Sequence, residues 1–275
     1  MTQDRLFKLQ VRRLAKLNGL SYTEAKKQLR IILNNDLSPI LRPPEPSIPQ
    51  ILDNGLLSLG VGFAKDPELV NFIKQKHSVL WRPAVEPHIH VEGFTGSGKT
   101  VLSHAITDAL QDTWVLLPID PRGVEWDQGA STLAEALKVI DYAIDTINRR
   151  NARLMRENRN AIDSGGSDGK RMLLILDEFR NFDPDDSRFD ECVAKLSTIL
   201  LQGRAAGVHI LESAQSGSVF SHAFRLNFAL DITMLSKFDA EDQGLEAIRG
   251  LALLKRYGVE DAVFQVASRK TLNVD

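Results

Sequence analysis

Between Glu92 and Thr100 the chain reads EGFTGSGKT, placing Gly93, Gly98, Lys99 and Thr100 on the spacing G-x-x-x-x-G-K-[ST]. That pattern grips phosphate. Its glycines let the backbone curl so that successive N–H groups aim at phosphate oxygens, and a helix starting at the end of the loop adds positive potential. Lys99 is placed to reach the β- and γ-phosphates and the Thr100 hydroxyl to ligate Mg²⁺. The nucleotide-binding stretch is therefore Gly93, Phe94, Thr95, Gly96, Ser97, Gly98, Lys99, Thr100 and Val101.

Further along, LLILDEF places Asp177 at the carboxyl end of a buried strand, where sheets of this kind present ligands to the crevice. Asp177 is expected to hold Mg²⁺ through water, and Glu178 to polarise the attacking water as general base. A switch GTPase would instead position water with a glutamine and carry base-reading motifs, which do not occur here. Gln215 closes VHILESAQ at another strand end, from which its amide could touch the γ-phosphate or the attacking water. His88 and His90, two apart, share one strand face. With no carboxylate or cysteine partner assigned to them, they read as hydrogen-bonded side chains rather than a metal pair. The acidic run DPDDSRFDE reads as solvated.

These groups need a frame. HIHVEGF precedes the loop as a strand and VLSHAITDALQ follows it as a helix; TWVLLPID reads as a strand and STLAEALKVIDYAIDTINRRNARLMRE as a long helix, basic in its second half. GGSDGK is a turn, RMLLILDEF a buried strand, DECVAKLSTILLQGRAAG a helix ended by Gly207, and VHILESAQ, FALDITML and AVFQVAS are further strands. Strands alternating with helices of this length predict an α/β domain with a mainly parallel sheet covered on both faces.

Ahead of that domain, residues 5 to 33 carry leucines at helical spacing, broken by Asn18-Gly19, with SYTE offering a capping box from Ser21 to Glu24. Eight basic residues against two acidic ones give residues 1 to 33 a charge of +6 within a chain of net charge −2. A basic arm on an acidic body suits an anionic polymer or membrane surface, and equally a solvated helical face or a docking arm. The prolines of SPILRPPEPSIP favour an extended spacer. The expected division is a basic helical arm over 1–36, a Pro-rich linker over 37–50 and a nucleotide-binding domain over 51–275.

With 275 residues, 43% hydrophobic, the chain can bury a full core. Its single cysteine, Cys192, excludes an internal disulfide framework and reads as a packed thiol. No apolar run approaches the roughly 20 residues of a bilayer span and no signal peptide is visible, so a cytoplasmic protein without membrane insertion is expected.

Five motifs in order resemble the FtsK/SpoIIIE DNA translocase core. They are PHIHVEGFTGSGKT, IDPRGVEW from Ile119 to Trp126, NRRNARLM, GRAAGVHILESAQ from Gly203 to Gln215, and RLNFALDIT. The likeness spans roughly residues 56 to 270 and departs from the family in Phe94, where a small residue is usual, and in SAQ, where the family has ATQ. The resemblance implies a RecA-like P-loop ATPase that binds ATP and Mg²⁺, assembles as a hexameric ring of identical subunits around double-stranded DNA, and pulls it through. It further implies an arginine supplied to the neighbouring subunit's nucleotide, for which the match points to Arg150, with Arg149 and Arg204 in reserve. Protein-secreting motors of the same superfamily, and an ATP-switched DNA-binding regulator, are the alternatives.

Overall fold

Short aliphatic runs ending in a polar residue become strands where both faces can be covered, and here such runs stand in one nine-stranded sheet. The computed structural model describes residues 57–63, 76–162, 169–215, 217–236, 250–256 and 259–266, together with Lys8, Val11, Arg12, Ala15 and residues 21–26. The strands are β1 (Leu57–Phe63), β2 (Lys76–Trp81), β3 (His88–Glu92), β4 (Val115–Ile119), β5 (Met172–Asp177), β6 (Val208–Ala214), β7 (Phe228–Met234), β8 (Leu251–Arg256) and β9 (Val259–Val266). The helices are α1 (Lys99–Leu110), α2 (Leu133–Arg156), α3 (Ser187–Ala206) and the single turn α4 (His222–Arg225).

The strand order β2-β1-β9-β8-β7-β3-β6-β5-β4 divides the sheet in two. From β7 to β4 all neighbours are parallel, as every connection along the chain from β3 to β7 passes through a helix. From β7 outward through β8, β9, β1 and β2 they are antiparallel. The predicted α/β class and parallel sheet are thus found in the half that carries the motifs; β1, β2 and β8 extend it.

Alternation along the strands splits the core. Met172, Leu174 and Leu176 of β5 pack with Ile140, Ala143 and Ile147 of α2 and Leu196 and Ile199 of α3. Leu173 and Ile175 pack on the opposite face with Ile89, Val91, and Leu102 and Ile106 of α1. Cys192 is wholly buried in the first cluster, and burial pushes its thiol up to about 11, as a packing residue requires.

Local signals set the helix ends. Thr132 Oγ1 accepts from Glu135 N at 3.3 Å while Glu135 Oε2 accepts from Thr132 N at 3.1 Å, a reciprocal cap worth about 1 kcal/mol. Gly207 ends α3 in the left-handed region at φ 65° and donates to Arg204 and Gly203 carbonyls. The acidic run is no simple loop, since Asp186 caps α3 by accepting from Arg188 N and Asp190 lies in its first turn. In the N-terminal region the SYTE capping box is formed, with Glu24 N donating to Ser21 Oγ and Ser21 N to Glu24 Oε2. The Pro-rich linker, most of the helical arm and the greater part of GGSDGK lie outside the described residues.

Candidate nucleotide site

The loop from Gly93 to Gly98 leaves β3 and runs straight into α1. A Cβ at Gly93 would lie 2.7 Å from Met234 Cβ and 2.9 Å from Ser97 Oγ, so only glycine fits between the loop and the end of β7. Gly98 has φ 109° and serves as N-cap of α1 without a side chain, which leaves the first-turn N–H groups facing outward for an anion. Thr95 and Gly96 are exposed, and Thr100 is half-buried at the start of the helix. Phe94 stands 70% exposed at the loop mouth and Val101 is exposed on the first turn of α1.

Lys99 turns back over the loop. Its Nζ donates to Gly93 O at 2.7 Å and to Phe94 O at 3.4 Å, and lies 3.4 Å from Glu178 Oε1. Glu178 follows β5 in the left-handed region at φ 52°, an unusual conformation for a glutamate that costs on the order of 1–2 kcal/mol. It is held there by its N–H to Ser213 O at 2.8 Å, while its Oε2 accepts from Gln215 N at 2.9 Å. The strand order makes this possible: β6 lies between β3 and β5, so the phosphate loop, Gln215 and the Asp177-Glu178 pair leave the same end of three adjacent parallel strands. The Gln215 side chain itself is exposed.

Asp177 is buried, and its Oδ2 has no hydrogen-bond partner. Burial raises its carboxyl to about 6, opposed by the neighbouring Ser213 hydroxyl and then by Arg122, whose Nη2 lies 3.8 Å away, and helped by the negative charges of Asp120 and Glu178. A buried carboxylate oxygen without a hydrogen-bond partner, one strand removed from the strand that leads into the phosphate loop, suits a hard cation, so Asp177 fits Mg²⁺, and the half-buried Thr100 is the hydroxyl the loop would add. Asp120, fully buried at the end of β4, accepts from the backbone N–H groups of Arg122, Val124 and Glu125, and this ordered turn brings Arg122 to the site. The sequence placed no role on Arg122; the IDPRGVEW match was the signal that could have found it.

Arg150 is occupied within its own chain. Its guanidinium donates to Ala206 O at 2.7 Å and Lys170 O at 2.6 Å, tying α2 to the end of α3 and to the approach to β5. Arg149 bonds Thr146 Oγ1, whereas Arg204 is exposed and makes no ion pair or side-chain hydrogen bond among the described residues.

Both strand histidines are hydrogen-bonded in the core. Ile210 N donates to His88 Nδ1, so the other ring nitrogen carries the proton and donates to Leu200 O, and burial lowers the His88 pKa to about 3. His90 does have an acid beside it. Glu212, remote in sequence, is its register partner across β3 and β6, and the two side chains meet at 2.9 Å.

Together these features define a P-loop NTPase fold in which one strand separates the phosphate-loop strand from the strand of the acidic pair. Solved structures of similar fold include ATPases. The conjugation coupling protein TcpA of pCW3, in its monomer form with ATPγS, superposes with a TM-score of 0.68 at 19% identity over 84% of this chain and 72% of that one. ATPases 2 and 3 of EssC from Geobacillus thermodenitrificans give 0.61 at 14% identity over 86% and 48%. ATPases 2 and 3 of EccC from Thermomonospora curvata, in complex with a signal sequence peptide, give 0.55 at 16% over 85% and 44%. The chain thus spans about half the length of those EssC and EccC chains. No family model and no curated protein matches the chain. The shared fold agrees with the RecA-like core that the FtsK/SpoIIIE resemblance implies.

Proposed function

We propose that the chain is the ATPase core of an FtsK/SpoIIIE-like motor that forms a hexameric ring and moves double-stranded DNA. One observation carries the ATPase reading: the Glu178 carboxylate is suspended between Lys99 Nζ and Gln215 N at the mouth of the phosphate loop. A glutamate there can take a proton from water attacking the γ-phosphate while Lys99 offsets the phosphate charge. The bound nucleotide draws Lys99 away from Glu178, and that exchange frees the base. Gln215, joined to Glu178 through its own backbone, senses the same change. Thr100 and Asp177 would hold Mg²⁺, which when bound neutralises charge on the phosphates. For the arginine given to the neighbouring subunit, Arg150 remains the residue the resemblance selects, but its two carbonyl bonds make exposed Arg204 the better placed of the three.

DNA as the moved polymer rests on the five motifs and the +6 arm. Contacts to phosphates without base reading predict affinity that falls steeply with salt. The likeness to EssC and EccC supports a second reading, a motor that moves protein. The deciding measurement is the ATPase rate with and without long double-stranded DNA, for the wild type, Lys99→Ala and Glu178→Gln. Strong stimulation of the wild type and near-background rates in both variants are expected. A wild-type rate indifferent to DNA refutes DNA translocation and leaves the protein-moving and ATP-switched readings.

A further inference from the structure

A group of charged side chains lies beneath the site, on strand positions where apolar residues would pack more cheaply. Glu212, three residues before Gln215, is 2% exposed and His90 is 1% exposed. Glu212 Oε2 accepts from His90 Nδ1 at 2.9 Å and from Ser218 Oγ at 2.5 Å, and its Oε1 accepts from Val219 N at 2.8 Å. Ser218 Oγ in turn accepts from Phe220 N at 3.1 Å. Glu92, the last residue of β3, accepts from Gly217 N at 3.4 Å and faces Arg225 of α4 at 3.8 Å. Arg225 also faces Asp231 of β7 at 3.9 Å. Burial alone would lower the His90 pKa, but its bond to Glu212 and the charges of Glu212 and Asp231 outweigh burial and the opposing Arg225, so the pKa is raised.

Among its described residues, the segment between β6 and α4 joins no ladder or helix. Its course is set by acids from three strand ends instead: Gln215 N on Glu178, Gly217 N on Glu92, and Val219 N with Ser218 on Glu212. Of these, Glu178 is the group that must change partners when nucleotide arrives. Glu92 and Glu212 are behind it and need not move.

We propose that Glu212, oriented by His90, is a positioning residue for hydrolysis: it clamps residues 217–220 to the sheet and so fixes where Gln215 meets Glu178. The proposal rests on the ATPase reading above. The clamp is the stationary end of a short lever whose moving end is the Gln215–Glu178 contact. Loosening it leaves the phosphate loop intact and blurs the placement of the base, so binding and turnover separate.

The test uses the full chain. Glu212→Gln is expected to lower kcat on the order of ten- to a hundredfold with KM within about twofold, since misplacement by a fraction of an ångström acts on the chemical step. Because Glu212 acts by placing the Glu178 carboxylate through the Gln215 backbone N–H, the double variant Glu212→Gln/Glu178→Gln should be no slower than Glu178→Gln alone; losses that multiply overturn the proposal. Amide hydrogen exchange over residues 215–221 should quicken about tenfold in Glu212→Gln, and in lesser degree in Ser218→Ala, which serves if the first variant folds poorly. Unchanged exchange in both also overturns it. A wild type with no ATPase activity defeats the proposed function instead, and the exchange measurement still decides the clamp.

Discussion

Replacing Glu178 by glutamine should do two opposite things. The carboxylate now lies 3.4 Å from Lys99 Nζ, both groups being largely buried. Two unit charges at that distance attract by about 5 kcal/mol at an effective dielectric near 20. Desolvation of the pair offsets most of this, and Lys99 keeps its bonds to Gly93 O and Phe94 O in either case. The preference that a phosphate must overcome to recruit Lys99 is therefore about 1–2 kcal/mol. Glutamine removes it, and removes a negative charge facing the γ-phosphate, so ATP should bind roughly five- to thirtyfold more tightly. The amide oxygen can still accept from Gln215 N, so the local geometry survives. Loss of the general base should meanwhile slow hydrolysis on the order of 10²- to 10⁴-fold. Equilibrium titration with a fluorescent ATP analogue reads the first effect and single-turnover hydrolysis the second. Weaker binding in Glu178→Gln, or hydrolysis within about tenfold of the wild type, refutes the assignment of both roles to this side chain.

Asp177 predicts a pH dependence. Its folded pKa of about 6 lies above the unfolded value near 3.9, so the stability this group allows is fully present below pH 4 and is lost as pH rises through 6. Asp177→Asn should therefore make the nucleotide-free protein more stable by on the order of 2 kcal/mol at pH 8, with the gain shrinking toward pH 4.5. Urea unfolding at the two pH values checks this, and a pH-independent gain counts against it. Gly207→Ala should cost about 2–4 kcal/mol, because the new Cβ would lie 2.3 Å from Ile162 Cδ1 in a left-handed conformation. A shift in urea midpoint worth less than about 1 kcal/mol would show that Ile162 moves aside easily.

What could be read in advance was local. The strand around MLLILD, the cap pairing Thr132 with Glu135, the stop at Gly207 and the glycines of the phosphate loop all depend on residues within a few positions of one another. Gln215 and Glu178 could be placed at strand ends, but not in contact, because that requires β6 to lie beside β5. The same non-local pairing hid the His90–Glu212 contact, whose partners are 122 residues apart. β8 is a short apolar run that a helix pattern fits as well, and β1 and β2 pair through antiparallel ladders with no motif to announce them. Arg150 illustrates the limit on motif matching. A dipeptide can point to an arginine, but only tertiary packing shows that its donors are already committed to two carbonyls.

Met234 gives the phosphate loop a history as well as a shape. Its Cβ and carbonyl meet the Gly93 position and its methyl meets Gly98, so the end of β7 is the floor on which the loop rests. That floor arrives about 140 residues after the loop itself, and β7 must pair with β3 before it is in place. A nascent chain halted just past β6 would already contain the glycine loop, the acidic pair and Gln215, yet would lack the β7 floor that holds the curl of the glycines. During synthesis, the ability to grip a nucleotide should therefore appear late and abruptly, when β7 leaves the ribosome. Until then a chain carrying the full motif should not hold a nucleotide.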